Sequence, residues 1–282
     1  MKRLLVLFFL QYFWSSNVHA ENKTIVFVSI LPQQYIVSQI GTDLVDVRVM
    51  VGPGQSPATY EPTPQQMVAL SKADVYFRIG VPFESAWLDK IKLNNKNLII
   101  VECCDLISDL KAESNSHDTD YDPHVWTSPK NVIKIAELIK NYLIKVDEKN
   151  TDSYITMEKE FKEKLLVLDK NIKDKIKNLK DRILIVAHPS WGHFSNEYGF
   201  TQVSMEREGK EIQARSLVRL IKMAKLNNIK AIFTQPQFND RAAKVIANEL
   251  NAEIIVLDPL ALNYIENMNI VTDSIVKGLA RE

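Results

Sequence analysis

The strongest pattern in this sequence is one long apolar stripe between two halves of alternating strand and helix signals. Apolar side chains recur three or four residues apart, without a break, from residue 154 to residue 179. They are Tyr154, Met157, Phe161, Leu165, Leu168, Ile172, Ile176 and Leu179. The spacing predicts an amphipathic helix of roughly 28 residues, with Thr151 or Asp152 capping its start. Such a helix is about 42 Å long, so we expect it to join two lobes rigidly.

On each side of this helix, short apolar runs alternate with helical patterns. In the first half, strands are predicted over 24–31, 45–51, 74–79 and 98–101, and helices over 33–40, 64–72 and 130–146. In the second half, strands are predicted over 183–187, 230–234 and 253–257, and helices over 211–226, 240–250 and after Asn267. The alternation predicts an α/β fold with two lobes, each a parallel sheet flanked by helices, joined by one long rigid helix.

The predicted domain borders follow from this pattern. Residues 21–150 form an N-terminal lobe, residues 151–181 the connecting helix and residues 182–282 a C-terminal lobe. A long apolar stripe can also form a coiled-coil dimer, but this one lacks clean heptads. We therefore expect a monomer.

The first twenty residues have the pattern of a cleavable secretory signal. Lys2 and Arg3 precede an uncharged apolar run over residues 4–10, and small and polar residues lead to Ala20. This run is short of the ~20 residues that a membrane span needs. No cysteine follows it to carry a lipid, so we expect a soluble periplasmic protein.

Composition and charge exclude several classes of function. The 35 basic and 35 acidic residues cancel, so no net field favours nucleic acid or an anionic membrane as a partner. Five histidines and two cysteines mean that any metal site rests on a few individually placed ligands. Cys103 and Cys104 are adjacent and follow an apolar run, which is typical of small buried residues rather than of a disulfide or a zinc-binding pair.

Candidate ligands follow three of the apolar segments. His124 stands in an Asp-Pro-His-Val-Trp sequence at 122–126, His188 directly follows the run 183–187, and Asp258 follows the run 253–257. In α/β folds, ligands bind at the carboxyl ends of parallel strands. Two imidazoles and one carboxylate suit zinc. His193 is either a second ligand beside His188 or a residue on a helix face, and the latter is favoured.

Together these residues resemble the metal-binding solute receptors of ABC importers for zinc and manganese, the ZnuA/TroA-like family. The resemblance covers nearly the whole chain after the signal. It is carried by six motifs: Tyr-Glu-Pro-x-Pro at 60–64, Asp-Pro-His-x-Trp at 122–126, His188 with Gly192-x-Phe194, Gly-Lys-Glu at 209–211, residues 233–237, and Leu-Asp-Pro at 257–259. It implies a bilobed receptor with a long connecting helix and a metal between the lobes. His124, His188 and Asp258 would be the ligands.

One departure from the family pattern concerns the first ligand. The family usually has a histidine two residues before the tyrosine of Tyr-Glu-Pro, and here that residue is Ala58. Water, Tyr60 or Glu61 could complete the site, His193 could be recruited, or tight metal binding could be lost. The histidine-rich loop of many zinc members is reduced here to residues 111–120 with a single His117, and a tyrosine is common where His193 stands.

Two other classes of function compete with transport. An open site of two histidines and one aspartate is also typical of zinc hydrolases, but no His-Glu-x-x-His or other base motif is present. A surface adhesin is the other alternative. We expect no enzyme, but a receptor that captures Zn²⁺, or alternatively Mn²⁺, and passes it to an inner-membrane ABC permease with its cytoplasmic ATPase.

Overall fold

The computed structural model describes residues 23–107, 122–207, 210–211, 213–238 and 241–280. The predicted signal at 1–20 and the loop 111–120 with His117 lie outside the described residues. Among the described residues, no helix is long and apolar enough to cross a membrane.

The first half of the chain forms a parallel sheet of four strands. The strands are β1 (Thr24–Val28), β2 (Val45–Val49), β3 (Val75–Arg78) and β4 (Ile99–Glu102). The helices are α1 (Leu31–Gly41), α2 (Pro64–Leu70), α3 (Pro82–Asn94) and α4 (Pro129–Val146). The strand order is β2-β1-β3-β4, and every pairing is parallel. The order changes direction between β1 and β3, which opens a crevice at their carboxyl ends.

The second half forms another parallel sheet of four strands after the long helix α5 (Thr151–Ile176). Its strands are β5 (Ile183–Val186), β6 (Thr201–Ser204), β9 (Ala231–Thr234) and β10 (Glu253–Val256), in the order β10-β9-β5-β6. Two two-residue strands, β7 (Glu206–Arg207) and β8 (Lys210–Glu211), pair with each other antiparallel. The helices are α6 (Gly192–Tyr198), α7 (Ala214–Leu226), α8 (Arg241–Leu250) and α9 (Tyr264–Leu279). Here the order changes direction between β5 and β9.

The predicted fold class is confirmed, whereas several elements differ from their predictions. Sequence reasoning did not predict α3 or β6, and the favoured helix-face position of His193 gave no bounds for α6. The first helix begins at Leu31 because Pro32 fits its first turn, where no backbone N–H is required. The helix predicted over 211–226 begins at Ala214, because residues 210–211 form β8.

The long helix α5 has 26 residues and buries the predicted stripe against the same chain. It packs against α1 and α4 of the first half and against α9 of the second. Tyr198 in α6 donates a hydrogen bond to Asp169 of α5 at 3.0 Å. The helix begins at Thr151, so its capping position is Asn150, which makes no capping hydrogen bond. Thr151 and Asp152 lie inside the helix, and the expected cap by either of them is wrong.

A buried carboxylate braces the strand ends of the first sheet. Glu84 in α3 is fully buried and accepts hydrogen bonds from the backbone N–H groups of Ile79 at 2.9 Å and Gly80 at 2.8 Å. It also accepts from Arg78 Nε at 3.2 Å and from the Ser29 hydroxyl. Burial raises the pKa of Glu84 above its ordinary value. The carboxyl ends of β1 and β3 are thereby held against the first turn of α3.

We expect Leu168→Ala to destabilise the protein by about 2–5 kcal/mol, because it leaves a cavity in the buried face of α5. Leu168 is 1% exposed, whereas Leu166 on the same helix is 43% exposed. Leu166→Ala is therefore the matched control, with an expected cost within about 1 kcal/mol. Urea unfolding measures both free energies, and equal values would show that the stripe is not the core of the junction.

Candidate metal centre

Two predicted ligands from different halves of the chain lie side by side. His124 immediately precedes a single 3₁₀ turn, Val125–Thr127, that leads into α4, and His188 follows β5. Their ring centroids are 5.3 Å apart, and the ring planes meet at 76°. Zinc binds an imidazole nitrogen at about 2.0–2.1 Å, so two imidazoles on one tetrahedral ion have centroids roughly 5 Å apart. The spacing of this pair fits one shared ion.

Each of the two imidazoles has a carboxylate at its Nδ1 atom. His124 Nδ1 lies 2.6 Å from Asp122 Oδ1, which also accepts the backbone N–H of His124 at 2.9 Å. His188 Nδ1 lies 2.9 Å from Glu206 Oε2. An ionised carboxylate only accepts hydrogen bonds, so it selects the tautomer with the proton on Nδ1. Both histidines then keep the lone pair of Nε2 for a metal ion.

The surroundings of His188 favour its uncharged form. The side chain of His188 is 19% exposed and stacks on Phe238, with centroids 4.3 Å apart. Burial lowers the pKa of His188 below its ordinary value, although Glu206 opposes this effect. Burial acts to raise the pKa of Asp122, but the adjacent His124 outweighs it and holds that pKa below its usual range. A neutral imidazole beside an ionised carboxylate is the state that binds a metal.

The third predicted ligand, Asp258, lines a cavity whose lining residues include neither histidine. Its Oδ1 atom accepts hydrogen bonds from Gln237 Nε2 at 2.8 Å and from the backbone N–H of Leu260 at 2.9 Å. Asp258 lines a cavity of about 190 Å³ whose other wall is the loop 51–55 of the first half. Within the described part of the chain, no three His, Cys, Asp or Glu side chains are gathered closely enough to hold a metal ion. The structure thus joins the two histidines, and Asp258 faces a neighbouring cavity.

A hydrogen bond across the two halves connects these ligands. Trp126 donates its indole N–H to the carbonyl oxygen of Pro259 at 2.7 Å. The Trp126 ring also lies against His124, with centroids 5.3 Å apart. The residue after Asp258 is therefore bonded to the side chain that packs on His124. We call this bond the Trp126–Pro259 clasp.

His193 bridges the halves and is not available as a ligand in this arrangement. It is on α6 and 4% exposed. Its Nε2 lies 3.0 Å from the carbonyl oxygen of Asp122, and its Nδ1 lies 3.2 Å from Asn131 Nδ2. The carbonyl requires a proton on Nε2, so Nδ1 accepts from the amide. Both ring nitrogens of His193 therefore have hydrogen-bond partners. The bond from Nε2 holds the backbone carbonyl of Asp122 in place.

Gly192, at the start of α6, permits the close approach of Asp122. A Cβ atom at Gly192 would lie 2.4 Å from Asp122 Oδ2, far inside contact distance. Any side chain at this position would displace the carboxylate that orients His124. The glycine is thus required by packing between the two halves.

The loop around the replaced ligand offers few donors. Ala58 is exposed on the segment between β2 and α2. The Tyr60 side chain is 8% exposed, and its hydroxyl donates to Gln66, which in turn donates to the Met50 carbonyl at 2.8 Å. Glu61 is exposed. Tyr60 and Glu61 were among the protein groups considered for the coordination position left by Ala58. The Tyr60 hydroxyl is already hydrogen-bonded to Gln66, and the Glu61 side chain is exposed to solvent.

Cys103 and Cys104 are free and buried at the end of β4, as expected. Cys103 accepts from Gln33 Nε2 at 3.7 Å, and Cys104 donates to the Ile79 carbonyl at 2.7 Å. Burial raises the pKa of both thiols well above the ordinary value. Their burial fits the expected role of small packed residues at a strand end.

Sequence reasoning missed the carboxylate at Glu206 and the amide at Gln237. Glu206 begins β7 and is 18 residues from the histidine that it contacts. Gln237 lies three residues after the end of β9. Its position could have identified it, because the same strand-end reasoning identified His188 and Asp258. Nothing in the residue type alone distinguishes either side chain from an ordinary surface residue.

The comparisons with known proteins agree on one family. The sequence profile of the family described as zinc-uptake complex component A, periplasmic, matches residues 26–278. The chain is 29% identical to the manganese ABC transporter substrate-binding lipoprotein PsaA of Streptococcus mitis, over 87% of this chain and 86% of that protein.

Solved structures give the same result. The crystal structure of ZnuA is 36% identical and superposes with a TM-score of 0.87, covering 92% of this chain and all of that one. A zinc-bound ZnuA with residues 138–173 deleted is also 36% identical, with a TM-score of 0.88 over 93% of this chain and all of that one. These relatives are receptors of transporters and not enzymes, as expected. The chain therefore belongs to the ZnuA family of periplasmic metal-binding components of ABC transporters.

Proposed function

We propose that this protein captures a divalent transition metal, zinc first and manganese as the alternative, and delivers it to an ABC permease. The observation that carries the proposal is the His124–His188 pair, in which each Nδ1 faces a carboxylate. That arrangement leaves two neutral nitrogen donors at a spacing that fits one ion. The relatives named above bind zinc or transport manganese, which supports both choices of metal.

The proposed ligands are His124, His188 and Asp258. Imidazole nitrogen suits zinc, and carboxylate oxygen suits both zinc and manganese. Asp258 is linked to the histidine pair through the Trp126–Pro259 clasp. A rearrangement that brings Asp258 to the pair would complete a three-ligand site. Binding needs no covalent chemistry, and family membership disfavours the hydrolase alternative.

Several finer features of the receptor are part of the same proposal. The mature protein is a monomer in the periplasm after removal of residues 1–20, and the division at residues 150 and 181 marks its lobes. Its partners are an inner-membrane permease and a cytoplasmic ATPase. The transport family supports these features, and the buried stripe of α5 supports the monomer because it is covered by the same chain.

His188→Ala should lower zinc affinity at least about 100-fold, because it removes a ligand and not only a supporting contact. Chelator competition with the purified mature protein measures the affinity. His117→Ala is the matched control, since His117 is outside the proposed ligand set, and it should leave the affinity unchanged. Wild-type affinity in His188→Ala would refute the site.

Ala58→His should tighten zinc binding at least about tenfold, or ~1.4 kcal/mol, because imidazole is a stronger zinc ligand than water or a neutral oxygen. Ala58 is exposed, so the new side chain has room. Ser56→His places the same group two residues away and should give no gain. Isothermal titration against a competing chelator measures both, and equal affinities for the two variants would contradict the missing-ligand interpretation.

Trp126→Phe should weaken metal binding while retaining most of the ring packing on His124. The change removes the clasp and leaves the buried Pro259 carbonyl without its donor, at a cost of about 1–3 kcal/mol in stability. The half-buried Trp87 in α3 supplies the control Trp87→Phe, for which no loss of affinity is expected. The proposal for the clasp fails if Trp126→Phe loses stability but binds zinc as the wild type does.

A further inference from the structure

The side-chain oxygen of Gln237 is buried and has no hydrogen-bond partner among the described residues. An unsatisfied buried acceptor costs about 1–3 kcal/mol, so native structures rarely keep one without a reason. A bound ion or water is a common reason. Gln237 also lines the 190 Å³ cavity together with Asp258.

The orientation of this amide is fixed by its neighbour. Gln237 Nε2 lies 2.8 Å from Asp258 Oδ1. A carboxylate can only accept, so the NH₂ group, and not the oxygen, must be the amide atom bonded to Asp258. If the nitrogen and oxygen of the Gln237 amide were exchanged, the amide oxygen would face Asp258 Oδ1, and neither atom could donate a hydrogen bond. The free acceptor is therefore a property of the packing.

The segment that carries Gln237 also encloses His188. Phe238 stacks on the His188 ring at 4.3 Å, and Gln235 Nε2 lies 3.2 Å from the His188 carbonyl oxygen. Gln237 lies between these two contacts in sequence, and its own amide contacts Asp258. One short segment after β9 thus touches both proposed ligands of the second half.

We propose that the amide oxygen of Gln237 is a metal ligand, which fills the coordination position left by Ala58. This inference rests on the proposed function. The donor set becomes two imidazole nitrogens, one carboxylate oxygen and one amide oxygen. Neutral carbonyl-type oxygens are preferred by manganese more than by zinc. Gln237 therefore shifts the metal preference towards manganese, relative to a site with a third histidine.

Two substitutions separate ligation from mere support of Asp258. Gln237→Met has a similar length but neither the oxygen nor the N–H donor. Gln237→Glu keeps an oxygen and loses the donor to Asp258. If the oxygen binds the metal, Met should lower Mn²⁺ affinity at least about tenfold, while Glu should retain or tighten it. If Gln237 only orients Asp258, both variants should weaken binding.

The experiment measures Mn²⁺ and Zn²⁺ affinities of the mature protein by competition, together with X-ray absorption of the bound metal. In Gln237→Met, we expect a larger loss for Mn²⁺ than for Zn²⁺ and a changed oxygen shell. Gln55→Met is the matched control, because Gln55 lines the same cavity from the first half. It should bind as the wild type does.

The outcomes distinguish this inference from the function on which it rests. Wild-type protein that binds neither metal stoichiometrically would refute both. Wild-type binding with unchanged affinity and spectrum in Gln237→Met would refute the amide ligand alone and assign the buried oxygen to a water. Equal weakening in the Met and Glu variants would likewise overturn it.

Discussion

The packing of α5 against helices from both halves of the chain is the constraint on which the candidate metal centre depends. Its buried face contacts α1 and α4 before it and α9 after it, so the two sheets are held at one separation. Side chains can then form direct hydrogen bonds from one half to the other. The clasp at 2.7 Å and the contact of His193 with Asp122 at 3.0 Å are such bonds. The spacing of the candidate ligands His124 and His188 therefore depends on the packing of α5.

The charges around the ligands suit a dication. Asp122 and Glu206 face the Nδ1 atoms of the two imidazoles, and Asp258 accepts hydrogen bonds from the Gln237 amide and the Leu260 backbone N–H. At the proposed site these three carboxylates would face one cation of charge two, so the cleft would favour cations over anions. A neutral amide at Gln237 would add a donor without adding charge. The affinity of such a site depends on carboxylates that never touch the metal.

The sequence predicts the layout of this protein better than its detailed contacts. Apolar runs and the stripe of α5 are local patterns, so the two parallel sheets and the long helix could be derived from them. His188 and Asp258 were proposed because strand ends are special places in α/β folds, and His124 because of its Asp-Pro-His-x-Trp motif and the family resemblance. Glu206 was not found, because its pairing with His188 is decided by tertiary packing. That the Gln237 oxygen has no partner among the described residues is visible only from the three-dimensional positions of the donors around it.

Gly192 has a consequence for how such receptors diverge. It binds no metal, yet the missing side chain admits Asp122, and Asp122 sets the tautomer of His124. A substitution there would alter the geometry of a proposed ligand, His124, without changing any proposed ligand residue. Counting the metal-binding residues in related proteins therefore underestimates the number of positions through which natural variation can change affinity. Positions such as Gly192, where the backbone of one lobe packs closely against the other, should be counted as well.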